Sequence, residues 1–88
     1  MHPSPEAMSI SDAVKGFILK EFLPGQDPSE LTESTPLITS RILDSLATIK
    51  LVGFMEEHFK VRFHPYETDV KYMNTVADIT RLVQSKLK

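Results

Sequence analysis

The residues best able to do chemistry stand in the stretch "ILDSLATIKLVGFMEEHF", residues 42–59, which opens on Asp44, Ser45 and Leu46. A serine hydroxyl beside a carboxylate can act as a nucleophile, as a helix cap or as a point of attachment. As a nucleophile it needs a base, for which His58 and His64 are the candidates, with oxyanion donors from the helix start. His58 lies about three and a half turns, on the order of 20 Å, along the same helix. No acid partner is signalled for His64, so a serine hydrolase is poorly supported. His58, His64 and Glu57 could together suggest a metal, but surface histidine and carboxylate explain them more simply. As a cap, Asp44 alone can accept the first free backbone amides. Ser45 then falls in the first turn with its hydroxyl outward, near unpaired amides and the positive end of the helix dipole. A phosphate ester at that position is electrostatically favoured.

The helix that positions this serine has apolar residues on two sides. At about 100° per residue, Thr48, Leu51, Val52, Met55 and Phe59 share one face, with Ala47 and Phe54 at its margin, and they form the expected core face. Leu46 and Ile49 fall opposite, among Lys50, Gly53, Glu56 and Glu57, where a helix of a small bundle meets water. Single exposed aliphatics are ordinary. Two of them one turn apart, beside a glycine and ringed by charge, make a small docking patch.

The remaining elements follow from spacing. Ser9 and Asp12 have capping-box spacing. Ile10, Ala13, Val14, Phe17, Ile18 and Phe22 then recur at three and four, which predicts a first helix ended by Pro24 and Gly25. Residues 1–8, with two prolines and little to bury, read as a flexible lead-in to a single domain over 9–88. A segment of about twenty residues, "PGQDPSELTESTPLITSRIL", follows the first helix, with anchors at Leu31, Leu37, Ile42 and Leu43 and room for one helical turn after Asp27. "KVRF" reads as a short extended exit from the second long helix. A brief helix is expected around Tyr66 to Tyr72. Asn74 or Thr75 caps the last helix, whose stripe is Val76, Ile79, Leu82, Val83 and Leu87. The fold expected is all-α: a small antiparallel bundle of three long helices plus one short one, with a long loop between helices 1 and 2. Phe17, Ile18, Phe22, Ile79 and Val83 are the expected partners of the second helix's core face.

Length and charge bound the function. A chain of 88 residues buries one modest core and leaves little room for a deep catalytic cavity. Ten basic and twelve acidic residues leave a net charge of −2 without a run of Lys or Arg, so no nucleic-acid footprint is present. The absence of cysteine excludes disulfides and thiolate metal sites, leaves the redox compartment open, and requires any thiol chemistry to be brought by a cofactor. No apolar run approaches the ~20 residues of a membrane span, and "MHPSPEAMS" has neither a basic nor an apolar leader region. A cytoplasmic monomer with no membrane partner is expected.

The combination of "LDSL" with "TPLI" upstream, "ATIKLV" and "EEHF" downstream, and the total length resembles the acyl carrier proteins, from about Ser9 to Leu87. That resemblance implies an acyl-carrier-like bundle. It also implies that Ser45 is esterified by a phosphopantetheinyl transferase to 4′-phosphopantetheine taken from coenzyme A. The thiol of the cofactor then carries an acyl or aminoacyl group as a thioester between partner enzymes. The chain is thus expected to be a carrier and a transferase substrate, not an enzyme. The resemblance gives Asp44 a part in transferase recognition and places Leu46, Ile49, Lys50, Glu56 and Glu57 on the face that docks ligases, acyl transferases and synthases. Ala47 and Lys50 stand where fatty-acid carriers commonly have carboxylates, and Gly53 where they often have a larger apolar residue. These departures point away from a fatty-acid synthesis carrier and toward freestanding carriers of polyketide or nonribosomal-peptide biosynthesis, since charge complementarity sets partner choice. Without the resemblance, an unmodified helical interaction module docking through Leu46 and Ile49 is the reading that remains.

Overall fold

The computed structural model describes residues 5–87, which form four α-helices, two 3₁₀ turns and, among the described residues, no strand. Helix α1 runs over Pro5–Phe22, beginning five residues before the Ile10 start that a Ser9 cap would give. Proline is tolerated at the first helical position, where its missing N–H would be unpaired in any case. Ser9 therefore lies inside the helix rather than capping it, and residues 5–8 are helical rather than a loose lead-in. Residues 1–4 of that expected lead-in, and residue 88, lie outside the described residues. The stripe of α1 buries Ile10, Val14 and Ile18 completely or nearly so. Its most extensive packing is against the last helix.

Gly25, at φ 86°, turns the chain out of α1 in a conformation that glycine adopts without steric cost. The long connection then supplies structure of its own. Asp27 opens a 3₁₀ turn over Pro28–Glu30, with its carboxylate accepting from Ser29 N at 3.0 Å and its carbonyl from Glu30 N at 2.9 Å. Leu31, Leu37 and Leu43 enter the core and Ile42 packs against it, so the connection is a wall of the bundle.

Helix α2 spans Ser45–Phe59. Ala47, Thr48, Leu51 and Met55 are buried, while Val52, Phe54 and Phe59 pack at the edge of the core. Phe54 stacks on Phe17 of α1 with ring centroids 4.3 Å apart, a contact that helps hold the two helices together. Lys60, at φ 59° and ψ 46°, closes α2 in the left-handed conformation that commonly ends helices. Residues 61–64 leave it without regular structure, with Val61 buried.

The single short helix expected around Tyr66 to Tyr72 is two pieces, a 3₁₀ turn over Pro65–Thr68 and helix α3 over Val70–Met73. Asp69 separates them. Its backbone is extended and its side chain caps α3 by accepting from Val70 N. Helix α4 spans Val76–Leu87 and buries Val76, Ile79, Thr80 and Val83. Thr75 caps it, with Oγ1 accepting from Asp78 N at 3.0 Å. No helix of the described residues is long and apolar enough to cross a membrane.

Candidate functional site

The start of α2 is built by Asp44. Its backbone is extended, its Oδ1 accepts from Ala47 N at 2.7 Å, and its carbonyl accepts from Thr48 N at 2.9 Å and Thr48 Oγ1 at 2.8 Å. One aspartate thus closes the first turn and holds the buried Thr48 hydroxyl, as capping requires. Ser45 is the first helical residue and is exposed. Its hydroxyl enters no hydrogen bond with another described residue, and the cap is made by Asp44 beside it.

Beside Ser45 lies an open groove of about 680 Å³. Helix α2 forms one wall with Thr48, Ile49, Val52, Gly53 and Glu56. Thr68, Asp69 and Val70 form a second wall, and Ile38 and Leu43 of the long connection close the end nearest the serine. A smaller depression of about 300 Å³ lies between α2 and the end of α1, where Leu46 and Lys50 meet Glu21, Phe22 and Ile42. Asp44 borders both.

Four of the five residues expected to dock partners are therefore distributed over two hollows, and Glu57 lines neither. Ile49 and Glu56 stand at the groove with Ser45, and Leu46 and Lys50 at the smaller depression. Leu46 and Ile49 are 62% and 68% exposed, as the helical arc predicts. Lys50 and Glu57 are exposed. Glu56 is half-buried, and its Oε2 accepts from Phe63 N at 2.9 Å. It pins the exit segment to α2 while bordering the groove.

The two histidines are not brought to the serine. His58 sits in the last turn of α2, its ring stacked on Phe54 at 5.1 Å and edge-on to Phe59 at 4.8 Å. His64 stacks on Tyr66 at 5.5 Å, and its amide donates to Glu67 Oε1 at 2.7 Å. Among the described residues no three His, Asp or Glu side chains converge as metal ligands, so His58, His64 and Glu57 do not form a ligand set.

Two polar contacts have no counterpart in the sequence reading. Glu67 is buried and its Oε1 takes both the His64 amide and Lys86 Nζ, the latter at 2.7 Å. Burial pushes the Glu67 carboxyl up, but the Lys86 hydrogen bond, the His64 amide and the nearby positive charge outweigh it and hold the group below its ordinary value. Asn74 turns away from α4. Its Oδ1 accepts from Ile38 N at 3.0 Å and Thr39 N at 3.1 Å, while its carbonyl accepts from Leu37 N at 2.6 Å. In sequence either residue passes for an ordinary surface or capping group, because nothing local marks a partner 19 or 36 positions away. A scan of the chain against protein-family models finds no match.

Proposed function

We propose that the protein is a carrier of the acyl-carrier type, bearing an acyl or aminoacyl group on a 4′-phosphopantetheine arm attached to Ser45. The observation that carries this reading is the exposed Ser45 at the first position of α2, its hydroxyl unbonded among the described residues, with Asp44 supplying the cap. The site suits such an arm in two further respects. The phosphate would sit at the end of α2 where the helix dipole is positive. The groove beside it is half apolar and large enough in volume to shelter part of a flexible chain, within the ~300–1,000 Å³ of small-molecule sites. The arm, when bound, supplies a thiol that holds the cargo as a thioester.

The residues of the chain divide the work. In the attachment step the Ser45 oxygen forms a new bond to the phosphorus of coenzyme A that carries the pantetheine. The pyrophosphate link breaks, the adenosine bisphosphate half leaves, and the serine proton passes to the transferase. Asp44 keeps the first turn closed, so that the hydroxyl is presented in one geometry. Leu46 and Ile49 offer apolar contact to a docked enzyme, with Lys50 and Glu57 setting the charge that a partner must match. Docking brings the cargo to a high local concentration, so modest affinity suffices. The partners are a phosphopantetheinyl transferase, an acyl or amino-acid ligase or transferase, and synthase-type enzymes of polyketide or nonribosomal-peptide biosynthesis. A monomer in the cytoplasm, where coenzyme A is supplied, fits this role.

Intact-protein mass spectrometry after incubation with coenzyme A and a broad-specificity transferase tests the reading. A mass gain of one phosphopantetheinyl group, mapped to Ser45, is the expected result. An unchanged mass would overturn it and leave the unmodified interaction module, served by the same exposed Leu46 and Ile49.

A further inference from the structure

The geometry points to Asn74 as the positioning residue of the Ser45 site, acting through the turn that leads into it. Its side-chain oxygen receives the Ile38 and Thr39 amides at 3.0 and 3.1 Å, with Thr39 Oγ1 at 3.5 Å, and its carbonyl receives Leu37 N at 2.6 Å. Four donors from three consecutive residues thus converge on one asparagine. The segment it holds is itself closed, with Leu43 N donating to Leu37 O at 2.9 Å and Arg41 N to Ile38 O at 3.0 Å. Leu37 and Leu43 are buried at the two ends of this turn. Asp44 and Ser45 follow Leu43 directly, so the anchored turn delivers the cap and the hydroxyl to their places.

The same residue joins two walls of the groove. Ile38, whose amide it binds, lines the end nearest Ser45, and Asn74 also closes α3, whose Val70 lines the far wall. The turn and α3 are therefore coupled as one body. The Arg41 backbone, at φ 68°, adds a strained residue to the turn, which makes an external anchor the more necessary. A planar side-chain oxygen suits this position because it can accept two or three bonds at once from neighbouring amides. On the carrier reading, Asn74 sets how Ser45 is presented, by fixing the turn that leads into Asp44.

The test compares the whole chain with Asn74→Ala and Asn74→Asp, the second keeping an acceptor oxygen in place. Amide exchange at Ile38 and Thr39 is expected to quicken about tenfold in Asn74→Ala, as follows from removing one well-made hydrogen bond. The Asp44 and Ser45 amide resonances are expected to shift in Asn74→Ala, and transferase loading of Ser45 to fall several-fold. All three should return toward wild type in Asn74→Asp. Should Asn74→Ala fail to fold, Asn74→Ser, too short to span to the turn, takes its place. Fast exchange at Ile38 and Thr39 with unmoved Ser45 resonances and unchanged loading would reduce Asn74 to a structural contact and overturn the inference. So would a loading defect that Asn74→Asp leaves in full. If wild-type protein is not loaded at all, the carrier reading fails by itself. The Asp44 and Ser45 resonances then decide the positioning role alone, with a shift and its rescue upholding it and no shift overturning it.

Discussion

Two adjacent polar pairs mark helix starts in this chain, Asp44-Ser45 at α2 and Asn74-Thr75 at α4. In each, one member caps: Asp44 Oδ1 takes Ala47 N, and Thr75 Oγ1 takes Asp78 N. The second member is spare in both, but its fate differs. Asn74 is consumed by the fold, receiving the backbone of a turn more than thirty residues away. Ser45 is bonded through its side chain to no other described residue and is exposed beside a groove. The comparison separates two situations of a polar residue at a helix start. One holds the tertiary structure together, and the other is exposed to solvent.

Breaking the pairs should expose that division. The largest effect is expected from Ser45→Ala, which should abolish transferase loading in a mass-spectrometric assay while changing unfolding free energy by no more than about 0.5 kcal/mol. Asn74→Ala should show the reverse emphasis. It leaves the Ile38 and Thr39 amides without their acceptor and is expected to cost about 1–3 kcal/mol in urea unfolding.

The two capping members sharpen the contrast further. Asp44→Ala and Thr75→Ala should each lose about 1 kcal/mol, the usual value of a cap. Only Asp44→Ala should also slow loading, because only that helix start presents Ser45. Equal loading by both variants would detach the cap from the site.

The smallest effect concerns the pairing of Glu67 with Lys86 and the His64 amide. The folded environment holds the Glu67 carboxyl below its ordinary value. Its contribution is thus fully present above the unfolded pKa of about 4.3 and is lost as pH falls through the lower folded value. Acid unfolding followed by circular dichroism should be steeper below about pH 4 in wild type than in Glu67→Gln, which has no such proton to take up.

Much of the site is legible in the sequence because helical geometry is local. A turn of about 100° per residue places Leu46 and Ile49 opposite Leu51 and Met55 whatever the helix packs against, and their exposures agree. The cap at Asp44 follows from the same local chemistry. The start of α1 departs from expectation for a reason of the same kind. Ser9 with Asp12 is an adequate capping sequence, but Pro5 can begin a helix too, and nothing in the residues between stops it. The short helix after His64 reads as continuous in the sequence because its apolar spacing does not reveal that Asp69 will stay extended and cap α3.

What the sequence by itself determined is the three long helices, most of their core stripes, with Leu87 of the expected α4 stripe exposed instead, and the exposed Ser45 at the head of α2, since each depends on neighbours within a turn or two. Tertiary structure alone decided the rest: the anchoring of the 37–43 turn by Asn74, the Lys86 and Glu67 pairing, the burial of Met73, and the groove between α2 and α3. Those features join residues far apart in the chain, and no local propensity records which distant donor will meet which acceptor once the core has closed.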